Sequence, residues 1–356
     1  MKKLTLLGGV ILAFCLLLAM GSSALNQQPK EAGKVLNLYN WGDYIDPELL
    51  SKFEEETGYQ VVYETFDSNE SMYTKIKQGS NHYDLTIPSD YMVEKMKKDD
   101  LIQTIDKSKL DFLNQMDANI MGLSYDSQND YSIPYFYGTL GIVYNDQYVK
   151  GENLKSFNDL WRPDYRQSMM LVDSARDIMG LSLISQGHSL NTTDSSQLNQ
   201  AKEKLDKLAP NVKAIVADEM KMYMIQNEAA IGVTWSGEAA EMLKNNEHLH
   251  YVIPKEGSNL WVDNFVIPKS AQHLDAAYAF MNFMMKPENA ARNSVYLGYS
   301  TPNILAKQEL EKTQDPVLSF YPTADQMKHL EVFKDLGQDV VQTYNDLFLE
   351  FKMYRN

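Results

Sequence analysis

The sequence predicts an α/β fold made of about two domains or of one large double-lobed unit. The chain has 356 residues, and a globular domain has roughly 150 residues. Short apolar runs suited to strands alternate along it with segments of helical periodicity, as in parallel sheets covered by helices. Hydrophobic residues make up 44% and charged residues 23% of the chain. These values exclude the collagen-like, low-complexity and largely disordered classes.

The first elements follow one another as strand and helix. We expect strands at residues 35–39, 60–65 and 85–88, with a helix at 70–78 between the last two. Between the first two strands, Asp46 is predicted to cap a helix that begins at Pro47, and Gly58 to close it. This alternation predicts a parallel sheet with helices on its faces.

The second half of the chain continues the pattern. We expect four further strands, at residues 141–144, 169–172, 229–234 and 260–267. We expect six helices, near residues 176–186, 195–208, 218–227, 236–245, 273–285 and 287–296. Beyond Pro302 the chain is predicted to be helical to its end, apart from a turn around Tyr321 and Pro322. No period of about 20 to 50 residues recurs, which argues against a solenoid.

The N-terminus has the pattern of a secretory signal. Lys2 and Lys3 precede an apolar run over residues 4–20, and the small residues Ser22 and Ala24 follow it. We therefore expect a signal peptide at residues 1–24 and a polar linker at residues 25–34. An uncleaved N-terminal anchor is the alternative. In both cases the folded part lies outside the cytoplasm.

The single cysteine and the net charge exclude several functions. Cys15 lies inside the apolar run, so the exported part has no disulfide, no cysteine metal site and no thiol chemistry. Lipid attachment at Cys15 is disfavoured by its apolar neighbours. Lys and Arg total 33 against 48 Asp and Glu, a formal charge of -15, which argues against nucleic acid and anionic lipid as partners.

Aromatic and polar residues collect directly after the predicted strands. Ligands of open α/β sheets bind outside these carboxyl ends. Three strands are followed by Asn40, Trp41, Gly42, Asp43 and Tyr44, by Ser89, Asp90 and Tyr91, and by Asp173, Ser174, Ala175, Arg176 and Asp177. A fourth is followed by Trp235, Ser236 and Gly237. Trp261 and Asp263 lie two apart on one strand and therefore share a face.

This combination suits an alkylammonium ligand. Three of the four tryptophans stand beside acids or hydroxyls at these strand ends, whereas Trp161 has no such setting and is predicted to be structural. A cation over an aromatic ring gains ~0.5–2 kcal/mol, and carboxylates add charge-assisted hydrogen bonds.

The sequence lacks the common catalytic motifs. It contains no G-x-S-x-G elbow, phosphate-binding loop, dinucleotide fingerprint or H-E-x-x-H. His248 and His250 would share one side of a strand, but no third metal ligand stands near them, so we interpret them as solvated or capping residues. Asp90 with Asp263 as a glycosidase-like acid pair is a further alternative, although their spacing in sequence does not give their separation in space.

Seven segments together resemble one family. They are residues 38–45, 68–73, 87–91, 131–135, 173–177, 261–263 and 298–303. In their order and spacing they resemble the spermidine/putrescine-binding proteins of polyamine ABC transporters, within the periplasmic-type solute-binding proteins. The resemblance covers nearly all of the exported chain.

The resemblance implies a two-lobed periplasmic-binding-protein-like fold. Each lobe is then a mostly parallel sheet flanked by helices, and the ligand cleft lies between the lobes. Lobe 1 is expected to comprise residues 35–138 and 265–312, and lobe 2 residues 139–264 and 313–356.

The resemblance also implies the ligand-binding residues. The aromatic and hydroxyl box is expected to consist of Trp41, Tyr44, Ser89, Tyr91, Trp235, Trp261 and Tyr299. Asp263 and Asp177 would bind ammonium groups, and Asp173 belongs to the same strand-end set. Four positions depart from the family pattern: Gly42, Ser174, Asp177 and Phe333. Ser174 stands where relatives often carry an acid, so this site is expected to have one carboxylate fewer. That difference bears on ligand preference and affinity.

The expected function is a transport receptor. It would capture spermidine or putrescine outside the membrane as a monomer without a cofactor and deliver it to a membrane permease. The alternatives are a binding protein for another cationic amine or for ferric ion, and a secreted enzyme on a two-lobed scaffold. Aromatic content disfavours the metal, and the missing nucleophile and base disfavour the enzyme.

Overall fold

A parallel three-stranded sheet forms the N-terminal part of the computed structural model, which describes residues 34–79, 81–217 and 219–355. Its strand order is β2-β1-β3. The strands are β1 (Val35–Trp41), β2 (Gln60–Phe66) and β3 (Leu85–Thr86). Each strand is followed by a helix, namely α1 (Pro47–Thr57), α2 (Asn69–Gln78) and α3 (Asp90–Lys98). The predicted alternation of strand and helix is confirmed here.

The ends of α1 follow from its sequence. The Asp46 side chain accepts a hydrogen bond from the Glu48 backbone N–H, and Pro47 occupies the first turn, where no N–H is needed. Gly58 closes the helix in the left-handed conformation with φ of 74°. Both predicted caps are confirmed.

One long strand connects the two halves of the molecule. β4 spans Ile133–Asn145, 13 residues where the sequence predicted only 141–144. Its first half is antiparallel to β9 (Leu260–Phe265), and its second half is antiparallel to β7 (Ile231–Trp235) and β8 (Leu249–Val252). Ile133 packs in the same hydrophobic cluster as β1, whereas Ile142 packs in another cluster. β4 therefore crosses from one hydrophobic core into the other.

The larger sheet has a parallel centre and antiparallel additions. β5 (Met169–Val172) is parallel to β6 (Val212–Val216) and to β7, and β4 joins on the far side of β7. The helices that accompany this sheet are α4 (Ala175–Ile184), α5 (Ser195–Leu208), α6 (Met220–Ile225) and α7 (Ser236–Asn245). The sequence did not predict β6 or β8, which are only five and four residues long.

The C-terminal part contains five helices among the described residues. They are α8 (Leu274–Met284), α9 (Pro287–Leu297), α10 (Ile304–Thr313), α11 (Ala324–Met327) and α12 (Gln338–Arg355). The prediction of helix to the end of the chain is wrong over residues 328–337. There the Glu331 N–H donates to the Ser258 carbonyl, and the Leu260 N–H donates to the Glu331 carbonyl. These bonds to a distant strand replace local helical bonds.

Short 3₁₀ helices complete the described structure. They lie at Lys107–Lys109, Leu113–Gln115, Gly151–Asn153, Phe157–Trp161, Pro163–Tyr165, Ala209–Asn211 and Pro316–Phe320. Within the described ranges, none of the helices combines the length and apolar character needed to cross a bilayer. The predicted signal peptide and all but the last residue of the predicted linker lie outside the described residues.

The two sheets with their separate cores confirm the predicted two-lobed α/β fold. A third hydrophobic cluster combines Tyr39 of β1 with Val262 of β9 and Val317. The predicted residue boundaries of the lobes stay a prediction. Because β4 and β9 pair at the crossing, the residues on β9 lie where the two lobes meet.

Candidate ligand-binding site

A buried carboxylate lies at the end of the N-terminal sheet. Asp263 on β9 is only 6% exposed. The Tyr44 hydroxyl donates to one of its oxygens, and the Ser89 Oγ donates to the other at 2.7 Å. Burial raises the pKa of Asp263 to about 6, and the two hydroxyl donors offset part of that rise. Asp263 is therefore a buried acid whose two hydrogen-bond donors, Tyr44 and Ser89, are neutral.

Aromatic rings surround this acid. The ring of Tyr299 lies 5.3 Å from the ring of Tyr44 and 5.3 Å from that of Trp261, with Trp261 edge-on. Two glycines make room for these rings: a Cβ on Gly138 would overlap Trp261, and a Cβ on Gly237 would overlap Tyr299. We call Tyr44, Ser89, Trp261, Asp263 and Tyr299 the Asp263 group.

Two residues that the sequence did not assign extend the Asp263 group. The Asn69 side-chain amide donates to Ser89 Oγ at 3.0 Å and to the Tyr91 hydroxyl at 3.1 Å. That hydroxyl in turn donates to Glu70 at 3.1 Å. Residues 68–73 belong to the segments that carry the resemblance, but nothing in their sequence pattern indicates these contacts.

A second buried acid lies at the end of β5. Asp177 accepts hydrogen bonds from Ser174 Oγ at 2.6 Å, from Trp235 Nε1 at 3.3 Å and from Asn259 Nδ2 at 3.4 Å. Burial raises its pKa, and these donors, with the nearby Arg176, counteract the rise. We call Ser174, Asp177, Trp235 and Asn259 the Asp177 group. Ser174 is also the N-cap of α4, whereas no sequence signal pointed to Asn259.

The structure gives two predicted residues other surroundings. Asp173 pairs both carboxylate oxygens with the Lys352 ammonium group, at 2.8 and 2.7 Å. Lys352 lies on α12, 179 residues away in sequence, so only the tertiary structure shows this pairing. Trp41 packs its ring 4.6 Å from that of Phe66 at the end of β1. Neither Trp41 nor Asp173 forms a hydrogen bond with Asp263 or Asp177 in the described structure.

The two groups meet where β7 passes into α7. Trp235 ends β7 in the Asp177 group, and the next residue, Ser236, accepts the Thr139 N–H of β4 at 3.2 Å. Ser236 and Trp261 both border Gly138 of β4, and Gly237 of α7 borders Tyr299. The predicted residues other than Trp41, Tyr91 and Asp173 thus lie in two connected groups, each with a buried acid and at least one aromatic residue.

The alternative metal sites lack support in the described residues. No group of three His, Cys, Asp or Glu side chains among them is arranged to hold a metal ion. His248 and His250 both contact the one carboxylate of Asp146, at 3.0 and 2.9 Å.

The chain is similar to known proteins over most of its length. The family described as bacterial extracellular solute-binding protein matches residues 48–319. The spermidine/putrescine-binding periplasmic protein of Salmonella typhimurium is 36% identical, over 95% of this chain and 98% of that protein. The Escherichia coli protein of the same name is 37% identical, over 90% and 93% of the two chains.

A solved structure shows the same fold. The spermidine/putrescine ABC transporter substrate-binding protein PotD from Streptococcus pneumoniae, solved with calcium and HEPES, is 56% identical with a TM-score of 0.84. The match covers 91% of this chain and all of that one. The similarity inferred from the seven sequence segments is therefore confirmed independently by sequence and by structure.

Proposed function

The chain belongs to the bacterial extracellular solute-binding proteins and, within them, to the spermidine/putrescine-binding proteins, and we propose that it captures polyamines for an ABC transporter. The observation that carries the proposal is the pair of buried acids, with Asp263 beside the rings of Tyr44, Trp261 and Tyr299 and Asp177 beside the indole of Trp235. In the described residues neither carboxylate forms a salt bridge, although Arg176 lies near Asp177. A ligand with ammonium groups supplies the missing positive charge.

The chemistry of the two groups suits an aliphatic polyamine. An ammonium group at Asp263 would donate a charge-assisted hydrogen bond to the carboxylate, and the faces of Trp261 and Tyr299 would attract it as well. The methylene stem would lie along the ring surfaces. In this proposal the aromatic and hydroxyl box around the ligand consists of Tyr44, Ser89, Trp235, Trp261 and Tyr299, with Trp41 and Tyr91 at its edge.

The remaining parts of the proposal concern location and partners. We infer that the signal peptide over residues 1–24 exports the chain, and that it acts outside the cytoplasm as a monomer. Its partner is the membrane permease that receives the polyamine. The names of the relatives support this role, since they are periplasmic binding proteins. Neutral hydrogen-bond donors hold both acids in place, which also agrees with a binding role without catalysis.

Calorimetric titration tests the proposal. We expect putrescine, spermidine or spermine to bind saturably at one site per chain, and recovery of the unchanged amine afterwards. Butylamine, which carries one ammonium group, is the matched control and should bind more weakly. Heats that do not exceed those of sodium chloride at equal ionic strength would contradict polyamine binding. Uptake of labelled spermidine by cells with and without the gene tests delivery.

A further inference from the structure

Asp90 lies in the chain between Ser89 and Tyr91, two residues of the candidate site. It is the first residue of α3 and is only 1% exposed. Its carboxylate accepts the Tyr91 N–H at 2.7 Å and, with its other oxygen, the Val262 N–H at 3.3 Å. Val262 separates Trp261 from Asp263 on β9. One carboxylate thus joins the start of α3 to the strand that carries the acid and the indole of the Asp263 group.

The groups around Asp90 compensate its negative charge only in part. The charge of Asp263 raises the pKa of Asp90, and the charge of Arg176 lowers it. The charge of Asp90 also acts on the phenols of the half-buried Tyr91 and the buried Tyr125. Burial and the charge of Asp263 raise the pKa of Asp90 well above its usual range, and the two backbone N–H groups counteract this only in part.

Another buried acid, Asp84, differs from Asp90 in how well the protein stabilises its charge. Asp84 is fully buried and accepts the backbone N–H groups of Asn37, Gln272 and His273 as well as a bond with the His273 ring. These bonds lower the pKa of Asp84 below its usual value despite burial. The protein itself therefore stabilises the charge of Asp84, whereas it does so incompletely for Asp90.

We propose that Asp90 is a positioning residue of the polyamine site, which fixes β9 against α3 and adds a second buried negative charge beside the ammonium group at Asp263. The inference rests on the proposed function. Burial and the neighbouring Asp263 disfavour the ionised form of Asp90 in the ligand-free protein, whereas an ammonium group at Asp263 would favour that form in the complex. Asp90 thus serves binding at the expense of the free protein's stability, as expected of a functional residue.

The test compares Asp90→Asn with Asp84→Asn. Spermidine affinity is measured by calorimetry, and the melting temperature is measured without ligand. We expect Asp90→Asn to bind spermidine about 10- to 100-fold more weakly while melting within about 2 °C of the parent or above it. Asp84→Asn should bind within about twofold of the parent and melt about 5 °C or more below it. If Asp84→Asn does not fold, Asp126→Asn replaces it, since Asp126 is also buried on backbone N–H groups.

A double variant separates positioning from an unrelated effect. If Asp90 acts through the ammonium group at Asp263, then Asp90→Asn combined with Asp263→Asn should bind within about threefold of Asp263→Asn alone. Fully additive losses, or a parent-like affinity of Asp90→Asn, would overturn the proposal. A large drop in its ligand-free melting temperature, or failure to fold, would show a structural role instead. Absence of binding by the parent would refute the proposed function itself.

Discussion

Asp263 combines a charge with surroundings that cannot neutralise it. Its two oxygens are occupied by the hydroxyls of Tyr44 and Ser89, and burial keeps its pKa at about 6. Trp261 stands two positions earlier on β9 and contributes its ring to the same face. At the scale of single residues, the site thus divides into a charged partner and an apolar wall.

Replacing the acid should weaken polyamine binding more than replacing the ring. Asp263→Asn keeps the shape but leaves a desolvated ammonium group without its counter-ion, at a cost of about 2–5 kcal/mol of binding free energy. Trp261→Leu keeps an apolar surface and should cost ~1–2 kcal/mol. Calorimetric affinities of both variants for spermidine measure this order, with circular dichroism to confirm folding.

Asp173→Asn is the matched control for that comparison. Its carboxylate pairs with Lys352 at an exposed position, so its loss should change spermidine affinity by less than about threefold, or under ~1 kcal/mol. If Asp263→Asn behaves like Asp173→Asn, the ammonium group does not bind at Asp263.

Polyamine affinity should fall in acid. Asp263 attracts an ammonium group only when ionised, and its pKa in the folded protein is about 6. Affinity should therefore change little above pH 7 and fall about fivefold between pH 6 and pH 5. Burial raises the pKa of Asp90 and Asp177 as well, so both act in the same direction. Calorimetry across this range measures the effect.

Stability without ligand should show the opposite dependence on pH. A pKa raised from 3.8 to about 6 means that the folded protein binds more protons than the unfolded chain between those values. The contribution of Asp263 to the free energy of unfolding therefore falls as the pH rises through that window. Asp263→Asn removes this contribution. It should be more stable than the parent at pH 7, and a difference that does not shrink toward pH 4 would contradict the assigned pKa.

At the scale of elements, glycines determine how closely α7 approaches the site. Gly237 in the first turn of α7 leaves no room for a Cβ, because Tyr299 fills that space. Gly298, which ends α9 with φ of 81°, packs in the same way against Ala240 of α7. The helix therefore lies against residues 298–299 because both contacting positions lack a side chain.

Gly237→Ala should destabilise the protein and displace Tyr299. Alanine in a helix normally gains up to about 1 kcal/mol over glycine, but overpacking costs about 1–3 kcal/mol. The overlap with Tyr299 is severe, so the cost of overpacking should exceed the gain in helix propensity. Spermidine affinity should then fall together with stability. Denaturant unfolding measures the change. Gly42→Ala is the control, since a Cβ there meets nothing within 4 Å, and an equal loss there would contradict the packing argument.

At the scale of the whole molecule, several contacts join segments that the predicted boundaries assign to different lobes. Asp335 accepts a hydrogen bond from Lys98 of α3 at 3.1 Å, and its own N–H donates to Glu94 at 2.9 Å. The approach of α7 to Tyr299 adds a further contact of this kind. An opening motion would break them, whereas a ligand held by both acids would favour the closed form.

Ligand binding should make the molecule more compact. Because Asp263 on β9 and Asp177 on α4 lie in two separate but connected groups, a polyamine that bridges them adds contacts present only in the closed form. Small-angle scattering should show a smaller radius of gyration with saturating spermidine than without it. Asp263→Asn at the same spermidine concentration should show a weaker change. An unchanged radius of the saturated parent would indicate a receptor that is closed before it binds.

Local sequence patterns determined much of the fold and the composition of the site. The caps at Asp46 and Gly58 depend on neighbours in the chain, and the spans of α5 and α7 follow from a helical period within one segment. The position of Tyr44, Ser89 and Asp263 relative to strand ends is likewise local. Their convergence followed from one general rule about the carboxyl ends of strands.

The tertiary structure alone decided which of these residues contact one another. The pairing of Asp173 with Lys352 and the bond from Asn259 to Asp177 join residues 179 and 82 positions apart. The extended segment around Glu331 and the full length of β4 likewise depend on distant strands. Such contacts have no signature in a local period, because a backbone or side-chain group chooses among partners that only the packed chain brings within reach.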